Sequence, residues 1–252
     1  MNSVVRRNRN VFVSLLASET PHLLPHLEDI TLAPNQRLQR AGERIDYIYL
    51  PHNSVIALVA SGNPSVEFAM LGYEGILGGA AGFGVSDAIC DATVRIGGSA
   101  SRITPDRLQT ALAGSEALRR AVTAGEATLA MKAQHAAVCN TLHPVEARLS
   151  HLLLELSDRL ESEELPVTQA ALADALGVQR TTVTLVIGKL QSSGALACGR
   201  GRVRVVDQNA LVQNTCSCHD HGRRLAAKLV PAVRESVVTP VRGGDGAGVA
   251  LA

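Results

Sequence analysis

Between Val178 and Val206 the chain carries Arg180, Lys189, Arg200, Arg202 and Arg204, and neither Asp nor Glu. Such a local excess of fixed positive charge is what the neutralisation of nucleic-acid phosphates requires. Gln179, Arg180, Thr181, Thr182, Thr184 and Lys189 fall on the polar side of one helical stretch and supply donors for phosphates and base edges. The planar fork of Arg180 can bond guanine O6 and N7 together. A solvated basic face on a small helical domain is the plainer alternative. A second constellation, Cys216-Ser217-Cys218-His219-Asp220-His221, puts four soft or borderline ligands (Cys216, Cys218, His219 and His221) within six residues. Those atoms suffice for Zn²⁺ or Cu⁺. The spacing is unlike a zinc finger's, however, and neighbouring Cys-x-Cys ligands strain a tetrahedral site unless another chain helps. The preferred reading is an exposed tail without metal, with a metal- or redox-responsive role for Cys216–His221 as the alternative.

Catalysis finds no comparable support. There is no G-x-S-x-G elbow, H-E-x-x-H pair, Walker sequence or dinucleotide-binding glycine fingerprint. Cys90, Cys139 and Cys198 read as small buried hydrophobes, and His22, His26, His52, His135, His143 and His151 are scattered without ligand spacing. No enzymatic activity and no cofactor are predicted.

The basic segment has to be positioned by short elements. Thr168 is a good N-cap for a helix running to about Leu176, and Gly177 closes it. A second helix runs from about Gln179 to Ser192 and ends at Gly194, and Leu196–Val206 alternates around Gly199-Arg200-Gly201 as a two-stranded ribbon with a basic turn. Leu172, Ala175 and Leu176 face Val183, Val186, Ile187 and Leu190, so two short helices can brace each other. Helix, glycine turn, helix and ribbon is the order of a winged helix-turn-helix, whose second helix enters the major groove.

Upstream, turn-formers such as Pro34-Asn35 and Ala41-Gly42-Glu43 separate β-prone runs at Ile45–Leu50, Val55–Val59 and Val66–Met70. That spacing predicts an antiparallel β domain. From Leu108 to Leu142 no proline occurs, and a long helix is expected. Leu118, Val122, Gly125, Leu129, Ala136 and Cys139 form its 4,3 stripe, broken by Lys132. The stripe suits a partner chain, the preferred reading, or the β half. After His143-Pro144 a further helix carries Leu149, Leu152, Leu153, Leu156 and Leu160. From about Ser217 periodicity fades, and the glycine-rich end is expected to be flexible.

Composition adds bounds. The 252 residues are 46% hydrophobic, which excludes wholesale disorder. With 24 Lys plus Arg against 23 Asp plus Glu, attraction to nucleic acid must be local. No run is long and apolar enough for a membrane span, MNSVVRRNRNVF lacks the apolar stretch of a signal peptide, and the sparse cysteines fit a reduced, cytoplasmic protein.

The run LPVTQAALADALGVQRTTVTLVIGKLQSSGAL, Leu165 to Leu196, resembles the helix-turn-helix of Crp/Fnr-type bacterial transcription regulators, and GERIDYIYLPHNSVIALV resembles early strands of that family's cyclic-nucleotide-binding-like β-roll. The resemblance implies an α+β fold: an antiparallel, jelly-roll-like β-roll with a helical N-terminal segment (1–107), a long dimerisation helix (108–142), a winged helix-turn-helix (143–212) and a tail (213–252). It implies a homodimer on palindromic double-stranded DNA that recruits or blocks RNA polymerase; a small-molecule effector is a further candidate partner, and a membrane is not expected. Thr168, Gln169, Gln179, Arg180, Thr181, Thr182, Thr184, Leu185, Lys189, Arg200 and Arg202 form the expected DNA-facing set. Thr181 stands where the family has glutamate and Leu185 where the cyclic-AMP receptor has arginine, so the operator sequence should differ.

Further departures concern the ligand. In members that bind cyclic AMP a glutamate holds the ribose and an Arg-Ser/Thr-Ala triplet the phosphate. Here Ile76 and Ser86-Asp87-Ala88 stand in those places, and no Lys or Arg occurs between Gly72 and Val94. An aspartate repels a phosphate, so an effector other than cyclic AMP is expected. The glycines of Gly75–Gly84 read as turns and close contacts. Iron-sulfur members use an N-terminal cysteine cluster, whereas the first cysteine here is Cys90.

Overall fold

The computed structural model describes residues 10–60, 62, 66–220 and 224. The elements run α1 (Val11–Glu19), β1 (Glu28–Leu32), β2 (Arg37–Gln39), β3 (Ile48–Pro51), β4 (Val55–Ala60), β5 (Val66–Leu71), β6 (Asp91–Ile96), β7 (Gly98–Ile103), α2 (Pro105–Gly114), α3 (Glu116–Leu142) and α4 (Val145–Leu160). They continue as β8 (Glu164–Leu165), α5 (Gln169–Leu176), α6 (Arg180–Ser192), β9 (Leu196–Gly199), β10 (Arg202–Val205) and α7 (Gln208–Asn214). The α+β class expected from the sequence is the observed one.

Two antiparallel sheets, β1-β7-β3 and β2-β6-β4-β5, make the N-terminal β domain. Leu32, Ile56, Leu58, Leu71, Val94 and Ala100 pack between them. The strand expected from Ile45 begins only at Ile48. Upstream, Arg44 bridges Asp87 and the Ile45 amide donates to the Ser86 carbonyl, so residues 44–45 pair with a loop instead of the sheet.

The long helix is interrupted. Ser115 lies between α2 and α3 with extended backbone, and its hydroxyl accepts the Leu118 amide as a new N-cap. The 4,3 stripe of α3 turns inward. Leu118 and Val122 are fully buried beside Phe12 and Ile76, Leu129 packs on the β core, and Lys132 Nζ donates to the Met70 carbonyl at 3.0 Å. The opposite face is exposed at Thr123, Ala127, Ala130, Gln134, Ala137 and Thr141, again at 4,3 spacing, with Val138 and Leu142 beside it.

The winged half is not separate from the β half. Val55, Met70 and Ile96 join one core with Leu149, Leu153, Leu172, Val183, Leu196 and Leu211. Met70 points the opposite way from its neighbours Ala69 and Leu71, which face the inter-sheet core. Both faces of the β4–β5 region are therefore buried. The end of the chain also departs from expectation. Within residues 213–220, expected in a flexible tail, Asn214 ends α7 and Cys218 and His219 are buried, while Gln213, Ser217 and Asp220 are exposed. The glycine-rich segment 243–248 lies outside the described residues.

Candidate nucleic-acid interface

The pair α5–α6 forms because each start and stop is encoded locally. Thr168 Oγ1 accepts the Ala171 amide at 3.1 Å, and Gly177 takes φ +62° where a side chain would be strained. Between the helices the chain direction turns by 112°. That lies within the range of a helix-turn-helix. Leu172, Ala173 and Leu176 bury one side of α5 against Val183, Val186, Ile187 and Leu190 of α6. Burial of these positions fixes which residues remain outside.

The outer face of α6 exposes Arg180, Thr181, Thr184, Leu185, Gly188, Lys189, Gln191 and Ser192. Gln179 is the exposed N-cap, and Thr182 is half-buried. No acidic residue sits in the first turn, so the positive end of the helix stays available to an anion. Thr184 Oγ1 donates to Gln169 Oε1 at 2.8 Å, which ties the two helices across their outer edge. Leu185 is 72% exposed, an apolar side chain suited to a thymine methyl.

The ribbon is three-stranded, order β8-β10-β9, because Glu164 and Leu165 add an edge strand. Val203 and Val205 face inward, while Arg202 and Arg204 face solvent beside Arg200 at the turn. Two features were missed in the sequence. Glu146 approaches Lys189 at 3.5 Å and Glu164 approaches Arg202 at 3.7 Å, so acidic groups from outside Val178–Val206 offset part of its charge. Among the described residues Arg180, Arg200 and Arg204 have no acidic partner within salt-bridge distance. Gln191 and Ser192 extend the exposed face by a turn beyond the expected set.

The glycine-rich stretch of the β domain is structural. Residues Gly79–Phe83 form a 3₁₀ turn against α2, and a Cβ on Gly82 would lie 2.6 Å from Leu112 Cδ1 and 2.8 Å from Leu108 Cδ2. Ile76 is 2% exposed within the core, and Ser86–Ala88 pair through the backbone with residues 42–45. A cavity of about 310 Å³ lies elsewhere, between β5, α3 and α4. Its walls include Glu74, Lys132, Glu155 and Arg159. Burial pushes the Glu155 carboxyl up, but Arg159, His151 and Lys132 outweigh it and hold the group at about 2.

The expected ligands of the C-terminal constellation separate. His219 is 2% exposed and packs edge-on against His151, with ring centroids 5.4 Å apart, and His221 lies outside the described residues. Cys216 and Cys218 instead meet Cys139 and His143, with all four ligand atoms within 4.8 Å of one another. Burial, then the adjacent Cys216, pushes the Cys139 thiol up to about 12, and burial also raises Cys218.

Residues 147–213 match the family described as the Crp-like helix-turn-helix domain. No curated protein matches the sequence. Among solved structures, FixK2 from Bradyrhizobium japonicum aligns with a TM-score of 0.65 at 15% identity, over 76% of this chain and 98% of its own. The c-di-GMP responsive global regulator CLP of Xanthomonas campestris aligns with a TM-score of 0.61 at 19% identity, over 76% and 99%. A transcriptional regulator of the CRP/FNR family from Thermus thermophilus aligns with a TM-score of 0.54 at 22% identity, over 74% and 97%.

Proposed function

We propose that the protein is a sequence-specific, DNA-binding transcription regulator acting as a homodimer on a two-fold symmetric site. A fold like that of Crp/Fnr-type regulators and the match of residues 147–213 to the Crp-like helix-turn-helix domain support this reading. The observation that carries this is the outer face of α6, exposed at Arg180, Thr181, Thr184 and Leu185 and flanked by the arginines of the ribbon. Gln179 and Arg180 approach base edges at the N-terminal end of α6. Thr168, Gln169, Thr182, Lys189, Arg200 and Arg202 position the domain on phosphates.

The dimer forms through the exposed face of α3, Thr123, Ala127, Ala130, Gln134, Ala137 and Thr141, whose small residues let two helices approach closely. Two-fold symmetry then gives a split, palindromic operator. An effector other than cyclic AMP fits the missing cation between Gly72 and Val94 and the buried Ile76. Contact with RNA polymerase and a cytoplasmic location complete the reading, and no helix among the described residues is long and apolar enough to cross a membrane.

Selection of bound duplexes from a random pool, followed by anisotropy titrations at several salt concentrations, tests it. Enrichment of one palindromic sequence with affinity falling steeply with salt is expected. Failure to enrich any sequence, or binding indifferent to salt, would sink it.

A further inference from the structure

Cys139 and His143 are four residues apart at the C-terminal end of α3, on one face, with the His143 amide bonded to the Cys139 carbonyl. Cys216 and Cys218 follow α7, with alternate side chains turned to the same point. Cys139 Sγ lies 3.6 Å from Cys216 Sγ, and Cys218 Sγ lies 3.6 Å from His143 Nδ1. Bonds of about 2.3 Å to sulfur and about 2.0–2.1 Å to nitrogen, opened at the tetrahedral angle, set ligand atoms roughly 3.5–3.8 Å apart. The two 3.6 Å separations match edges of such a tetrahedron, and the other ligand pairs lie within 4.8 Å. A disulfide needs its sulfurs at about 2.0 Å.

From this geometry we propose that Cys139, His143, Cys216 and Cys218 form a structural Zn²⁺ site that fastens the end of α3 to the end of the winged domain. Three thiolates and one imidazole in a closed, four-ligand set suit Zn²⁺ and leave no open position for catalysis. Binding releases three thiol protons to solvent, and His143 binds as neutral imidazole through Nδ1. The resulting net charge of −1 has a counter-ion in place. Arg148 is close enough to Cys139 for each charge to act on the other, and its buried Nε has no hydrogen-bond partner among the described residues. That donor can serve a thiolate sulfur as an outer-shell partner.

The ligands come from both ends of the segment that contains the whole winged domain, and they bracket the joint at His143-Pro144 between α3 and α4. A metal there restrains the angle between those helices. Its consequence for DNA recognition rests on the function proposed above; the binding of the ion does not.

The test uses the full chain purified without chelator from zinc-supplemented cells, and no DNA. Elemental analysis should find about one zinc per chain. Cys139→Ser and Cys216→Ser should each lower zinc occupancy more than about tenfold, beyond the effect of an altered outer-shell partner. Cys90→Ser and Cys198→Ser should leave it unchanged. Because a ligand variant can fail to fold, Co²⁺ titration of the unaltered protein gives a second reading. An intense tetrahedral d–d spectrum with a thiolate charge-transfer band supports the site. Zinc-free protein with no thiolate–Co²⁺ band, full occupancy in Cys216→Ser, or a Cys139–Cys216 disulfide in the non-reduced peptide map would each overturn it.

Discussion

Arg159 of α4 donates from Nε to Glu74 Oε1 at 3.0 Å, joining the first helix of the winged domain to the loop after β5. The same guanidinium donates to the Met70 carbonyl at 3.2 Å and to the Glu155 carbonyl at 2.9 Å. Its side chain is 8% exposed and those of Glu74 and Glu155 are 27% and 30% exposed, so water can replace a lost partner only in part. Arg159→Ala would leave Glu74 with Lys132, at 3.6 Å, and take the arginine from Glu155. A loss of about 1.5–3 kcal/mol in denaturant-unfolding free energy is expected, the scale of hydrogen bonds to charged groups. Replacing Glu74 as well, as in Glu74→Gln with Arg159→Met, should restore the part that Glu74 accounts for. Single and double variants of equal stability would show that the pair does not link the two halves.

Acid should loosen the same junction. Burial alone would raise the Glu155 carboxyl, yet Arg159, His151 and Lys132 bring it to about 2, well below the ordinary carboxylate value. Glu74 is shifted downward too: burial opposes the shift, and Arg159 and Lys132 overcome it. A carboxylate whose folded value is depressed contributes stability above its unfolded value, near 4.3, and loses it as pH falls toward about 2. Thermal midpoints should therefore drop between about pH 4.5 and 2, and Glu155→Gln should flatten that drop. An unchanged acid profile in Glu155→Gln would remove this group from the account.

The winged half was legible because its signals are local: Thr168 as a cap, Gly177 and Gly194 as stops, and alternation at Val203 and Val205. The docking of the two halves was not, since Met70 joining the core of Leu153 or Glu74 meeting Arg159 depends on distant segments. One hint was present. Val55–Val59 is apolar without alternation, the pattern of a strand covered on both faces. The break at Gly114-Ser115 was readable as well, because Ser115 followed by Glu116 is a strong start signal within an otherwise helical composition. The direction of the α3 stripe was not, as both of its faces repeat at 4,3 spacing and only the packing of Phe12 and Ile76 distinguishes them. Likewise the Cys216–Cys218 pair needed Cys139 and His143 from a helix more than seventy residues away.

The two faces of α3 make opposite predictions. Gly125 lies with its would-be Cβ 3.2 Å from Phe12 Cζ, so Gly125→Val should destabilise the chain by about 1–3 kcal/mol through overpacking. Ala130→Glu and Ala137→Glu are on the exposed side and should leave unfolding by denaturant nearly unchanged at low protein concentration. In sedimentation they should convert a dimer to a monomer. Dimers that persist in the double glutamate variant would place the interface on another surface.

Arg180 and Arg202 should fail differently. Arg180 is exposed at the start of α6, where a side chain reaches base edges, so Arg180→Ala should cost about 1–3 kcal/mol and relax discrimination at one base pair of each half-site. Arg202 stands on the ribbon 3.7 Å from Glu164, and on the proposed reading it meets the backbone of the duplex. Arg202→Ala should weaken binding to all sequences alike and reduce the salt slope by about one. Because Arg202 must leave Glu164 to reach a phosphate, Glu164→Gln should strengthen binding slightly, most at low salt where an acidic group beside the duplex repels it furthest. Parallel anisotropy titrations on the selected site and on single-base variants separate these effects. Unaltered base preference in Arg180→Ala would mean that the N-terminal end of α6 does not read the groove.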